Sequence, residues 1–157
     1  MDADSARTLR RLLDTRPVAA LATLHRGEPA VSMVPFVLPR GGEQLFIHVS
    51  TLATHTRDMQ EHPQVSLLVM AEGDATSSPL ALPRVALPAT AVILPRQGPD
   101  YEAARAAYLE RFPDAEQMFE LGDFFIVALQ PTSARLIAGF GQASSLVGAA
   151  LDEWLKH

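Results

Sequence analysis

The chain has 157 residues, of which 48% are hydrophobic and 20% charged, a balance that fits one soluble globular domain spanning residues 1–157 with a sizeable core. Thirteen basic against eighteen acidic residues give a net charge of -5, so the basic footprint of a nucleic-acid binder is missing. The absence of cysteine excludes disulfides, iron–sulfur clusters and thiolate zinc sites.

The first predicted element is an amphipathic helix over Ser5–Leu13, capped near Asp4 and ended by Pro17. Val18–Leu24 reads as a short apolar strand, followed by a turn at His25-Arg26-Gly27-Glu28. Ala30–Leu38 is a second strand, Arg40–Glu43 a second turn, and Leu45–Val49 a third strand. Three short strands joined by glycine turns predict an antiparallel meander. A helix over Thr54–Glu61 follows, then a strand over Gln64–Met70 and a polar, proline-spaced loop over Gly73–Pro83.

Arg84–Leu94 reads as a long strand in which Pro88 implies an edge, a bulge or a break. Tyr101–Phe112 and Asp114–Leu121 are helical, the second with Asp114 as its cap. Phe124–Leu129 and Ala134–Phe140 are the last strands, and Leu146–Leu155 is a final helix. Six or seven antiparallel strands with inserted helices predict a mainly β fold, a closed or partly closed barrel that removes exposed edges. No stretch is long and apolar enough to span a membrane: Pro79–Pro95 is interrupted by Arg84 and Pro88. The N-terminus has no apolar signal core, so a cytoplasmic location is expected.

The richest chemistry lies at Ser50-Thr51-Leu52-Ala53-Thr54-His55-Thr56-Arg57. A strand opens there into a helix N-terminus lined with hydroxyls and cations, which suits a phosphate. Ser50, Thr54 and Thr56 offer hydroxyls, and His55 and Arg57 offer charge. Ordinary helix capping explains the same hydroxyls. Strand alternation puts Ser32, Val34 and Phe36 on one face, where Ser32 adds a hydroxyl for the same anion or is a serine tolerated in a barrel strand. The histidines show no helical metal-site spacing. His25 falls in a turn and reads as solvated, His48 faces away from Ile47 and Val49, and His157 is the last residue. No nucleophile elbow or Walker loop is present, and Gly139-Phe140-Gly141 reads as a tight backbone passage beside an aromatic ring.

In order and spacing, several blocks together resemble the FMN-binding split-barrel superfamily of pyridoxamine 5′-phosphate oxidase-like proteins, and its haem-utilisation (HugZ/HutZ-type) branch. They are Val18–Leu24, Gly27-Glu28-Pro29, Ser32–Phe36, Ser50–Thr56, His62–Val69, Arg84–Leu87, Gly122-Asp123-Phe124 and Gly139–Ala143. The resemblance covers nearly the whole chain. It implies a split barrel forming a two-fold homodimer, with FMN or haem at the subunit interface and oxidation–reduction as the activity.

By that resemblance Ser32, Val34, Ser50, Thr54, His55 and Thr56 hold the FMN phosphate, and Arg84 contributes to the same site or its opposite wall. His55 falls where the oxidases have a phosphate-binding lysine, and Thr54 at a neighbouring arginine position. For the haem branch, His157 is the candidate iron ligand, oriented by Asp123 of the other subunit. No segment matches the substrate-binding tail of true pyridoxamine-phosphate oxidases, so that activity is not expected. Two other readings stand beside an FMN- or haem-dependent oxidoreductase: a non-catalytic flavin or haem carrier, and a structural dimer whose hydroxyl cluster only caps a helix.

Overall fold

The structure is a computed structural model that describes residues 1–156. Helix α1 (Ala3–Thr15) starts at Asp2, whose Oδ1 accepts the Ser5 amide at 2.7 Å. The cap therefore lies two residues before the expected Asp4, which stays in the first turn and pairs with Arg7. Leu9, Leu12 and Leu13 form the buried stripe of this helix.

Strands β1 (Val18–His25) and β2 (Glu28–Pro35) form a hairpin in register from Val18–Pro35 to His25–Glu28. Its two-residue turn puts both Arg26 (φ 52°) and Gly27 (φ 83°) in the left-handed region, the geometry that matches strand twist. Strand β3 (Leu45–Ser50), helix α2 (Thr54–Glu61) and strand β4 (Gln64–Met70) follow. Strand β5 (Arg84–Ile93) leads through helices α3 (Pro99–Arg111) and α4 (Glu116–Phe119) to strand β6 (Phe124–Pro131). A short 3-10 turn at Pro113–Ala115 precedes α4, and Asp114 makes no side-chain cap, contrary to expectation. Strands β7 (Ser133–Gly139) and β8 (Gln142–Val147) form a last hairpin before helix α5 (Ala149–Leu155).

Eight strands are present where six or seven were expected. The additional one is β8, whose small polar residues carry little strand signal and whose Leu146-Val147 read as the start of a helix. Gly141 (φ 75°) provides the turn that brings it back onto β7.

The sheet is antiparallel throughout, in the order β2-β1-β4-β5-β6-β3. Beyond β2, Val37 and Phe46 exchange backbone hydrogen bonds of 3.0 and 2.8 Å, which brings the two ends of the sheet together. The sheet thus curls into a split barrel, as expected. Leu21, Leu67, Val85, Leu87, Ile47 and Leu129 fill its interior, and α1 and α5 contribute to the same core. A smaller aromatic core lies outside β3 and β6, under α3 and α4.

Pro88 sits inside β5 opposite Ser66 of β4, without breaking the strand. On its other edge β5 pairs with β7 through Ala86 and with β6 from Ala89 onward. Pro88 stands where that neighbour changes, so its missing N–H interrupts no ladder, and its carbonyl accepts the Thr132 amide at 2.8 Å. Among the described residues no helix is long and apolar enough to cross a membrane.

Candidate functional site

Helix α2 is positioned by its own hydroxyls. Ser50 ends β3, and its Oγ donates to Asp123 Oδ2 (3.1 Å) while accepting the Leu52 amide (3.1 Å). Thr56 is fully buried and its hydroxyl donates to the Ser50 carbonyl at 2.6 Å. The hydroxyl hydrogens of Ser50 and Thr56 are therefore spent inside the protein, and the Asp123 carboxylate stands beside them. Thr54 is exposed in the first turn. His55 is half-buried; burial pushes its imidazole below the ordinary value of 6.5, and Asp58 offsets part of that. Neutral His55 supplies hydrogen bonds to an anion but little charge.

The inner face of β2 carries Ser32 and Val34. Val34 is part of the barrel core. Ser32 Oγ is buried with no hydrogen-bond partner, an unsatisfied group of the kind a bound polar ligand or water completes.

Arg84 stands at the far end of the sheet from α2. It pairs with Met70 at one end of the β4–β5 ladder, whereas α2 enters β4 at Gln64. Six strand steps of about 3.3 Å separate those ends, roughly 20 Å. Within one protomer, then, Arg84 does not join the Ser50–Thr56 corner. Its guanidinium donates to the Leu82 carbonyl at 3.1 Å and shares a shallow cavity with Leu80, Ile137 and the exposed ring of Phe140. Asp123 is paired with Ser50, and His157 lies outside the described residues.

The structure also assembles a cluster that sequence reasoning missed. Asp58 of α2 is 3% exposed, with Oδ2 accepting from Thr23 Oγ1 (2.9 Å) and Oδ1 held by His25 Nδ1 (2.8 Å). Burial alone would raise the Asp58 pKa. Hydrogen bonds from His25 and Thr23, with the fields of His25 and His55, outweigh it and hold the carboxyl below its ordinary 3.8. His25 is thus the last residue of β1 and anchored to α2, not a freely solvated turn residue. The available signal was the two-residue spacing of Thr23 and His25, which puts both on one strand face.

A second unexpected feature is His48. It is 8% exposed, neither ring nitrogen has a partner, and it stacks on Phe119 at 3.8 Å with Tyr108 and Phe124 around it. Burial, with a smaller push from Arg96, lowers its pKa from 6.5 to about 4. Burial also lifts the Tyr108 phenol to about 12. Among the described residues no three histidine, aspartate or glutamate side chains converge to hold a metal ion.

The profile of the family described as pyridoxamine 5′-phosphate oxidase matches residues 6–138. The chain belongs to this family. Among its relatives is Heme oxygenase HutZ of Vibrio cholerae, 30% identical over 142 residues, covering 89% of this chain and 80% of that protein. The chloroplastic Non-canonical heme oxygenase HOZ of Arabidopsis thaliana is 31% identical over 119 residues, covering 76% of this chain but only 35% of its own length. The solved structure of a heme binding protein from Mycobacterium smegmatis superposes with a TM-score of 0.84 at 30% identity, covering 98% of this chain and 62% of that one.

Proposed function

We propose that this split barrel binds haem as a homodimer and acts in haem utilisation. The observation that carries the proposal is the state of the anion corner. The hydroxyl hydrogens of Ser50 and Thr56 are already donated, the Asp123 carboxylate adjoins them, and His55 is driven toward its neutral form. Such a corner grips a dianionic phosphate poorly. Two relatives at 30% identity, one matched in sequence and one in structure, are named for haem.

Haem asks for apolar walls and a few cations for its carboxylates. Arg84 beside Phe140 and Leu80 supplies both. In the proposed homodimer, a site that uses both would draw the Arg84 wall from one protomer and the α2 corner from the other. Dimerisation is favoured by the outer face of the sheet, where Val31 and Met33 are 73% and 64% exposed and Leu68 and Met70 extend the apolar surface. When bound, haem supplies the redox and oxygen chemistry. The chain binds it, orients it and limits its contact with water.

FMN is the second reading, favoured by the orphaned Ser32 hydroxyl and by family membership. The absorbance spectrum separates the two. Ferric haem added to the purified protein is expected to give a shifted, saturable Soret band, whereas FMN is expected to show weak binding. Saturable FMN binding without a Soret shift would overturn the haem reading. Dioxygen and a reductant then divide breakdown from storage: bleaching of the Soret band with iron release marks an oxygenase, and an unchanged band marks a carrier.

A further inference from the structure

We propose that α4 is an acid-released lid latched by His48, and that its release loosens the loop bracing the entry to α2. The device holds whichever ligand that corner takes. The segment from Pro113 to Gly122 joins α3 to β6 and packs in the small aromatic core, apart from the barrel interior. Helix α3 is tied to α1, because the Arg111 guanidinium donates to the Leu13 carbonyl at 2.9 Å and to the Arg16 carbonyl. Helix α4 has four residues, no side-chain cap, and Met118 exposed. Its seat is the ring of Phe119, which lies flat on His48 at 3.8 Å and meets Tyr108 edge-on at 6.0 Å.

The far side of that stack is an imidazole with both nitrogens buried and unpartnered. A neutral ring fits among aromatic rings, but an imidazolium must place two N–H donors and a charge. Nothing packed against it accepts them. Strand β6 presents Phe124, α3 carries Tyr108 and Arg105, α4 carries Phe119 and Glu116, and the segment after β5 carries Arg96. Glu116 faces Arg105 at 3.8 Å, and the Asp123 carboxylate accepts from Ser50. Burial, then the field of Arg96, disfavours the charged ring. Proton uptake therefore requires the ring to reach water, and lifting α4 exposes it while the sheet and α3 stay in place.

The same helix runs into the stretch that braces α2. Its last turn closes with the Leu121 amide donating to the Met118 carbonyl at 3.2 Å. Arg96 donates to the carbonyls of Gly122 (2.7 Å) and Phe124. Between those two residues, the Asp123 carbonyl accepts the Thr51 amide at 2.7 Å and its carboxylate accepts from Ser50 at 3.1 Å. A helix leaving its seat pulls on Asp123, and the charge that expels it also repels the arginine holding that stretch.

The latch is complete above pH 6.5 and weakens as pH falls toward 4, because the open state takes up the proton first. Linkage between those values raises the open fraction about 20-fold from pH 7 to pH 5. The test is amide hydrogen exchange by nuclear magnetic resonance on the protein without added ligand, at pH 7, 6 and 5. Rates are corrected for the intrinsic chemical rate, and low urea is used to separate local opening from global unfolding.

In wild type, the Glu120, Leu121 and Thr51 amides are expected to lose protection about 20-fold between pH 7 and pH 5, with little dependence on urea. Amides of β1 are expected to stay more protected and to respond to urea. His48→Leu keeps an apolar contact for Phe119 without a titrating group, and is expected to hold protection level across the range. Lid amides that follow the β1 amides in urea would overturn the inference, as would a wild-type pH response in His48→Leu. Unchanged Thr51 protection while α4 opens would overturn the link to α2. The wild-type protein also decides without any variant: a His48 ring that titrates near 6.5 while its contact with Phe119 persists would sink the latch.

Discussion

Among single residues, His48 is buried at a cost. A buried imidazole with two unpaired nitrogens forgoes hydrogen bonds it had in water, at about 1–3 kcal/mol. Its stacking on Phe119 and contact with Tyr108 and Phe124 favour the neutral ring. The folded pKa of about 4 lies below the ordinary 6.5, so the unfolded chain takes up the proton first as pH falls. Stability from this residue is complete above 6.5 and declines as pH drops toward 4. His48→Leu fills similar space without polar atoms. It is expected to hold or raise stability at neutral pH and to flatten the decline across that window, as measured by urea denaturation at several pH values. A pH profile as steep as wild type would contradict the assignment. Strand alternation in the sequence does put His48 opposite Ile47 and Val49. That this opposite face is also buried was hidden, because α3 and α4 cover it from more than fifty residues away.

At the level of elements, most of the fold was readable because local and global preferences agree. The predicted bounds of α2 and β4 match the structure. Their apolar periods and the turn residues around them leave no alternative. The missed strand has a clear cause: where small or polar residues form a strand, as in β8, only the neighbouring strand specifies it. Pro88 was legible as an irregularity, but its role as the point where β5 exchanges β7 for β6 is a property of the whole sheet.

The β1–β2 turn offers a direct test at this scale. Arg26 is the one non-glycine residue at positive φ among the described residues, in a turn that favours Asn, Asp or Gly. Arg26→Asn keeps the turn and relieves left-handed strain, with an expected gain of about 1 kcal/mol. A lower melting temperature would show that the arginine contributes contacts that outweigh its strain.

Over the whole molecule, the candidate site is less legible than the barrel because its parts serve the fold first. Ser50 and Thr56 stand out in the sequence as hydroxyls at a strand-to-helix turn, and the structure uses both to pin that turn in place. The sequence also could not reveal that Arg84 and α2 lie at opposite ends of β4, since that follows from register. A site needing both therefore needs two protomers. The exposed face of β2 favours such a contact: Val31 and Met33 point out of the barrel on either side of inward-facing Ser32. The double substitution Val31→Glu/Met33→Glu puts two charges on that face without entering the core. If this face joins the protomers, light scattering will show the wild-type dimer converted to a folded monomer, because burying unpaired charges costs more than the apolar contact returns. Haem affinity should fall with it, because the Arg84 wall and the α2 corner no longer meet. A dimer that survives both glutamates would place the interface elsewhere, and a monomer that still binds haem as tightly would put the whole site within one barrel.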